Sequence, residues 1–221
     1  MPRQTKPQRS KRMDLQNKIT ITALEPQKKH PNRRSVYGNG EFLFGLDEET
    51  CVKTGIRTGK SYFPQELEQI RQEAEYTDAK QYSFRLLARK SYTVFLMERK
   101  LSERGYSEEA VHRTVTLLCD MGYLNDEEYA KAMIHDAVLL KKKGKRVVMQ
   151  ELFLKGISKE LGERLWEEQE IPEDLLSQLI EKKLTDPSDP RCVKRTFDYC
   201  IRRGYSYSDV SDAMKEYITE E

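Results

Sequence analysis

The chain lacks any run of about 18 apolar residues and has no apolar stretch near its N-terminus. Those two absences argue against a membrane-spanning helix and a secretory leader, and they set the expectation of a cytoplasmic protein without a membrane partner. Cysteine is sparse: Cys51, Cys119, Cys192 and Cys200 stand far apart with no CxxC pair, so partly buried reduced thiols are expected. With only three histidines, at positions 30, 112 and 135, there is no zinc-ligand pattern and no metal is expected. The glycines form neither GxxxxGK[ST] nor GxGxxG, and GxSxG and HExxH are also missing, so no phosphate-cradling loop or catalytic constellation is announced. A protein that is not an enzyme and needs no cofactor is the resulting expectation. Asp126, Glu127 and Glu128 resemble a carboxylate cluster, but acidic residues in a first helical turn are explained by the helix dipole and by capping.

What is present is charge: 34% of residues are charged and 37% apolar, a helix-leaning mixture. The net charge is +2 but unevenly spread, because residues 1–34 carry ten Lys or Arg against Asp14 and Glu25 and the rest of the chain is net acidic. This basic end reads either as a surface for nucleic acid or an acidic partner, or as a solvated tail over 1–16.

Three glycines reveal an internal repeat. Gly105-Tyr106-Ser107, Gly156-Ile157-Ser158 and Gly204-Tyr205-Ser206 recur at spacings of 51 and 48 residues, each glycine preceded by a cation, Arg104, Lys155 or Arg203. The physical reading is a helix closed by a left-handed glycine, an apolar plug, and a serine that caps the next helix. A fourth joint, Gly122 to Ala130, has the same logic: Gly122 stops one helix, Asn125 or Asp126 caps the next, and Tyr123 and Leu124 are expected to pack between them.

Around these joints the chain divides into a basic tail (1–16), a β-hairpin segment (17–63), a connecting helix (64–77) and three three-helix repeats (78–124, 125–171 and 172–221). Lys18 to Leu24 alternates as a strand does, Pro26 to Arg34 reads as a loop, and Gly38-Asn39-Gly40 turns between Val36-Tyr37 and Glu41 to Phe44. Two or three short strands need a helix to lean on. A short helix is expected over Glu48 to Lys53, a second over Phe63 to Glu75, and a boundary near 53–61. In the first repeat, Tyr82, Leu86 and Arg89 share a stripe, Ser91 caps a helix bearing Val94, Met97 and Leu101, and Val111, Val115 and Leu118 follow Ser107. The second repeat places Tyr129, Met133, Ala137 and Leu140 on its opening helix, then Val148 and Leu152, then Leu161 and Leu165. The third carries Leu175, Leu176, Leu179 and Ile180, an Asp189-Pro190 helix start, and a last helix from Tyr207 to Ile218 with Val210, Met214 and Tyr217. The fold class is therefore mainly α: tandem three-helix modules in an elongated curved array, each covering its neighbour's apolar face, behind a small β-hairpin and helix segment.

Cations are the candidate binding residues. Lys141, Lys142, Lys143, Lys145 and Arg146 concentrate at one helix-helix turn, and Arg202 and Arg203 close the third module's second helix. Helix-dipole complementation explains such residues, and so does contact with a polyanion. If Arg104, Lys155 and Arg203 bind, they supply one contact per module along an extended ligand. The tyrosines at helix joints, including Tyr205 and Tyr207, are either packed core or stacking platforms.

Gly122-Tyr-Leu-Asn-Asp-Glu-Glu-Tyr-Ala130, Leu86-Leu87-Ala88-Arg89 leading to Arg104-Gly105-Tyr106, and Lys143-Gly144-Lys145-Arg146 leading to Lys155-Gly156-Ile157 together resemble the RecX regulatory proteins of bacteria over roughly residues 75–217. Ser91-Tyr92 stands where the family usually has a proline, and the third module matches mainly through Arg202-Arg203-Gly204-Tyr205. The segment through Glu25-Pro26-Gln27-Lys28-Lys29 and Gly40-Glu41-Phe42 looks like the extension of some members. A monomer is expected, and the resemblance implies a non-enzymatic modulator that binds in the groove of the RecA filament on single-stranded DNA. It also implies restraint of filament growth, strand exchange, ATP hydrolysis and the coprotease function of the SOS response. The residues alone leave open a nucleic-acid-binding helical-repeat protein that acts without RecA.

Overall fold

The computed structural model describes residues 17–28 and 30–218, so the basic tail expected over 1–16 lies outside the described residues. Four antiparallel strands come first, in the order β3-β2-β1-β4: β1 (Ile19–Gln27), β2 (His30–Gly38), β3 (Glu41–Asp47) and β4 (Ser61–Tyr62). The stretch expected to loop from Pro26 to Arg34 is instead strand through Gln27 and again from His30. Pro26 is tolerated because the short β4 pairs only with Ile19 and Thr20, and the β1-β2 register shifts just after Pro26. Asn39 and Gly40 turn β2 into β3 with positive φ of 52° and 85°.

Helix α1 (Glu48–Thr54) is capped by Asp47 and stopped by Gly55 in the left-handed region. Helix α2 runs unbroken from Pro64 to Leu87, where a connector ending at Glu75 and a new helix from Asp78 were expected. Nothing in 75–78 breaks a helix: Thr77 bonds back to the Glu73 carbonyl, and the Asp78 carboxylate accepts from Arg33 and from the Tyr106 hydroxyl rather than capping. Leu67, Ile70 and Ala74 share a core with Ile21, Val36, Leu46, Ile56 and Tyr62. The front of α2 is thus the helix the sheet leans on. The 53–61 stretch is also built into that core through Ile56, so it is not a boundary.

The remaining helices are α3 (Val94–Glu103), α4 (Glu108–Asp120), α5 (Asp126–His135), α6 (Lys145–Phe153), α7 (Lys159–Glu167), α8 (Leu175–Lys183), α9 (Pro190–Arg203) and α10 (Tyr207–Lys215). The described residues form two compact units, one of those up to 86 with 101–114, the other of 87–100 with those from 115 onward. In the first, Glu75 accepts from the amide and hydroxyl of Ser107, and Glu73 pairs with Lys53 and Arg113.

In the second unit, α5 to α7 enclose a core of Ala130, Ile134, Val148, Leu152 and Leu165, and α8 to α10 enclose Leu179, Ile180, Cys200, Val210 and Met214. Leu175 joins the first of these cores and its neighbour Leu176 the second, so α8 serves both. Helix α5 passes into a π-helical turn over Asp136–Leu140. The wider turn shifts the helical phase, burying Ala137 and Val138 and leaving Leu140, expected on the core face, 73% exposed.

Candidate partner-binding surface at the module joints

All three repeat glycines are left-handed, with φ of 91°, 83° and 99° at Gly105, Gly156 and Gly204. Ser107, Ser158 and Ser206 accept from the amides of Ala110, Leu161 and Asp209 at 3.4, 3.2 and 3.0 Å. At the fourth joint Gly122 has φ of 73° and Asn125 is the cap, accepting from Glu128. Asp126 does something else: its carboxylate accepts the Val94 amide at 2.8 Å, satisfying an orphan donor at the start of α3. Leu124 is buried as expected, but Tyr123, in the turn that follows Gly122, is 52% exposed. It lines an open groove of about 440 Å³ with Tyr92, Tyr129, Glu128 and Asp136.

Two of the glycine corners make joints between successive modules. The first turn of α3 receives the end of α6: the Thr93 hydroxyl donates to the Lys155 carbonyl at 2.7 Å, and Gly156 lies so close to Phe95 that no side chain fits. Thr93 also accepts the Leu96 amide at 3.2 Å, so it is the cap of α3, the role expected of Ser91. In the same way the first turn of α6 receives the end of α9. The Gly144 amide donates to the Arg203 carbonyl at 2.9 Å and the Arg146 amide to the Gly204 carbonyl at 3.3 Å. At both joints the donor-rich start of one helix meets the carbonyl-rich end of another, a favourable alignment of helix dipoles.

The cation cluster sits on the second joint, and the structure divides it. Arg203 grips the Lys141 carbonyl at 2.6 Å and the Tyr199 hydroxyl at 2.8 and 3.0 Å, and Arg146 reaches the Ile201 carbonyl at 2.7 Å. Lys142, at a positive φ of 48°, bonds Gln178, and Lys143 pairs with Glu151. Tyr205 donates to the Lys142 carbonyl at 3.3 Å, and burial in the joint pushes its hydroxyl pKa up to about 12. Lys141, Lys145 and Arg202 have exposed side chains. Lys155 is half-buried, while Arg104 is exposed and stacks 4.6 Å over the Tyr82 ring of its own module. The cations before the glycines therefore play unlike local roles. Among the described residues no group of three or more His, Cys, Asp or Glu is placed to hold a metal, and no helix is long and apolar enough to cross a membrane.

These features define a mainly helical protein of three-helix modules, preceded in the chain by a small sheet. Family models match in three places: the regulatory protein RecX N-terminal domain over residues 19–61, the first RecX three-helix domain over 79–118 and the second over 125–164. The chain belongs to the RecX family. A relative named regulatory protein RecX from Caldanaerobacter subterraneus subsp. tengcongensis is 28% identical over 201 residues, 89% of this chain and 98% of its own length. One of the same name from Clostridium acetobutylicum is 28% identical over 210 residues, 91% and 97% of the two chains. Among solved structures, a crystal structure of regulatory protein RecX superposes with a TM-score of 0.65 at 20% identity, covering 90% of this chain and 99% of that one. Another, of RecX from Lactobacillus salivarius, gives 0.55 at 19% identity over 64% of this chain and 96% of that one. These two likenesses support the fold.

Proposed function

We propose that this protein is a non-enzymatic, cytoplasmic regulator that binds the RecA filament on single-stranded DNA and restrains recombinase activity, with consequences for DNA repair and the SOS response. Family membership carries the reading, since relatives matched over nearly their whole length are named regulatory proteins. The module joints support it physically. The second joint ties the start of one helix to the end of another and leaves Lys141, Lys145 and Arg202 exposed for a polyanionic surface. Arg203 acts by holding the joint, while Arg146, exposed and bonded once to the Ile201 carbonyl, stands on the open face beside those three. Co-sedimentation tests the reading: the protein pellets with RecA-coated single-stranded DNA at concentrations where naked DNA leaves it in the supernatant. Equal recovery with and without RecA would instead favour a nucleic-acid-binding protein that acts alone.

A further inference from the structure

The two module joints are built alike, so each is a control for the other. Equivalent positions follow from the distance to the corner glycine: Phe95 corresponds to Arg146, Leu154 to Arg202 and Lys159 to Tyr207. The first joint holds together with Phe95 and Leu154 partly exposed, at 45% and 63%. Cations at these positions are therefore not demanded by the architecture. What the second joint presents there is Arg146, Arg202 and an aromatic ring, beside Lys145.

Arg146 and Tyr207 line one open cavity of about 370 Å³ together with Ile201, Tyr205 and Ser206. Arg146 is anchored by one bond to the Ile201 carbonyl, which tethers one edge of its guanidinium and leaves other donors of the five-donor fork for a ligand. Tyr207 is 72% exposed, yet Phe197 holds its ring edge-to-face at a centroid distance of 5.0 Å. An exposed, braced aromatic ring beside a tethered guanidinium and two further cations is the chemistry that holds unpaired nucleotides, phosphates on the cations and a base on the ring. A duplex hides its base faces and an acidic protein segment has none, so neither uses the ring.

We propose that the joint between the second and third modules grips single-stranded nucleic acid, with Arg146, Lys145 and Arg202 on the phosphates and Tyr207 stacked on a base. The proposal rests on the filament reading for its biological setting but is tested without RecA. The probe is a fluorescein-labelled 15-nucleotide oligo(dT), followed by anisotropy at several salt concentrations with the full chain. Tyr207→Ala weakens binding about fivefold or more at an unchanged salt slope, and Tyr207→Phe stays within about twofold of the parent. Lys145→Ala with Arg202→Ala lowers the salt slope by about 0.7 for each phosphate no longer neutralised. Replacing the bases by abasic sites removes the difference between Tyr207 and Tyr207→Ala. Circular dichroism confirms that the variants are folded. The grip is refuted if Tyr207→Ala binds as the parent does, if abasic and dT strands bind alike, or if poly-glutamate or duplex competes as well as dT. Refutation here with filament co-sedimentation intact removes only the grip, whereas loss of co-sedimentation with oligonucleotide binding intact removes only the filament reading.

Discussion

Gly144 and Gly204 meet backbone to backbone across the second module joint: a Cβ on Gly144 would collide with the Gly204 carbonyl, and a Cβ on Gly204 would fall 2.7 Å from the Val147 nitrogen. Gly105 shares the left-handed conformation of Gly204 but has nothing within 4 Å of a Cβ. Substitution there adds only backbone strain, about 1 kcal/mol. At Gly144, whose backbone is extended, and at Gly204, which adds the left-handed strain, the new methyl must push the facing backbones apart, so Gly144→Ala and Gly204→Ala cost about 2 kcal/mol or more. Urea midpoints should fall in the order Gly105→Ala least, Gly144→Ala and Gly204→Ala most; equal midpoints would show that the joint does not bear on stability.

Thr93 has two roles and Ser91 neither. Thr93→Val keeps the shape but loses both the Leu96 amide cap and the bond to the Lys155 carbonyl, so a loss of about 1–2 kcal/mol is expected. Ser91→Ala, in contrast, should be within about 0.5 kcal/mol of the parent. The reverse order in thermal denaturation would restore the cap to Ser91.

That pair shows where the amino-acid string is readable. Gly105, Gly156 and Gly204 each need a residue without a Cβ at positive φ, and each serine caps locally, so both features depend on a few neighbouring residues and are visible in the string. The choice of Thr93 over Ser91 depends on a carbonyl 62 residues away, and local pattern cannot carry that. Gly144 looks like an ordinary helix stop; its reason for being glycine is Gly204, 60 positions on. The π turn over Asp136–Leu140 is invisible in the string because nothing in its composition distinguishes five residues of wide helix from five of normal helix. The continuity of α2 is hidden for the opposite reason. Asp78 has the chemistry of a cap, and only the arrival of Arg33 and Tyr106 from elsewhere shows it otherwise engaged. The cation run from Lys141 to Arg146 is legible as a cluster, but not its division into joint-holding and exposed members.

That division predicts opposite phenotypes. Arg203→Ala removes a guanidinium that ties Tyr199 to the Lys141 carbonyl, and should lower the melting temperature by several degrees. Lys145→Ala with Arg202→Ala should leave melting unchanged and weaken association with the RecA-coated DNA, more so at low salt. A double variant that melts early would mean these two side chains hold the joint after all.

Tyr205 gives the joint a pH limit. Its hydroxyl ionises near 10 when the chain is unfolded and at about 12 in the native protein, because burial opposes the charged form. The unfolded state thus releases its proton first as pH rises. Stability from this group is complete below pH 10 and falls between 10 and about 12. Tyr205→Phe, which cannot ionise, should flatten the loss of melting temperature in that window; parallel pH profiles for the two proteins would rule the joint out as its origin.

Regulation of a recombinase filament is read out most plainly by the rate of ATP hydrolysis by RecA on circular single-stranded DNA. Titrated with this protein, the rate should fall with half-maximal effect below one molecule per RecA protomer, and the Lys145→Ala, Arg202→Ala double variant should need more protein for the same effect. Hydrolysis that continues unchanged in the presence of saturating protein would overturn the assignment of this chain as a restraint on the filament.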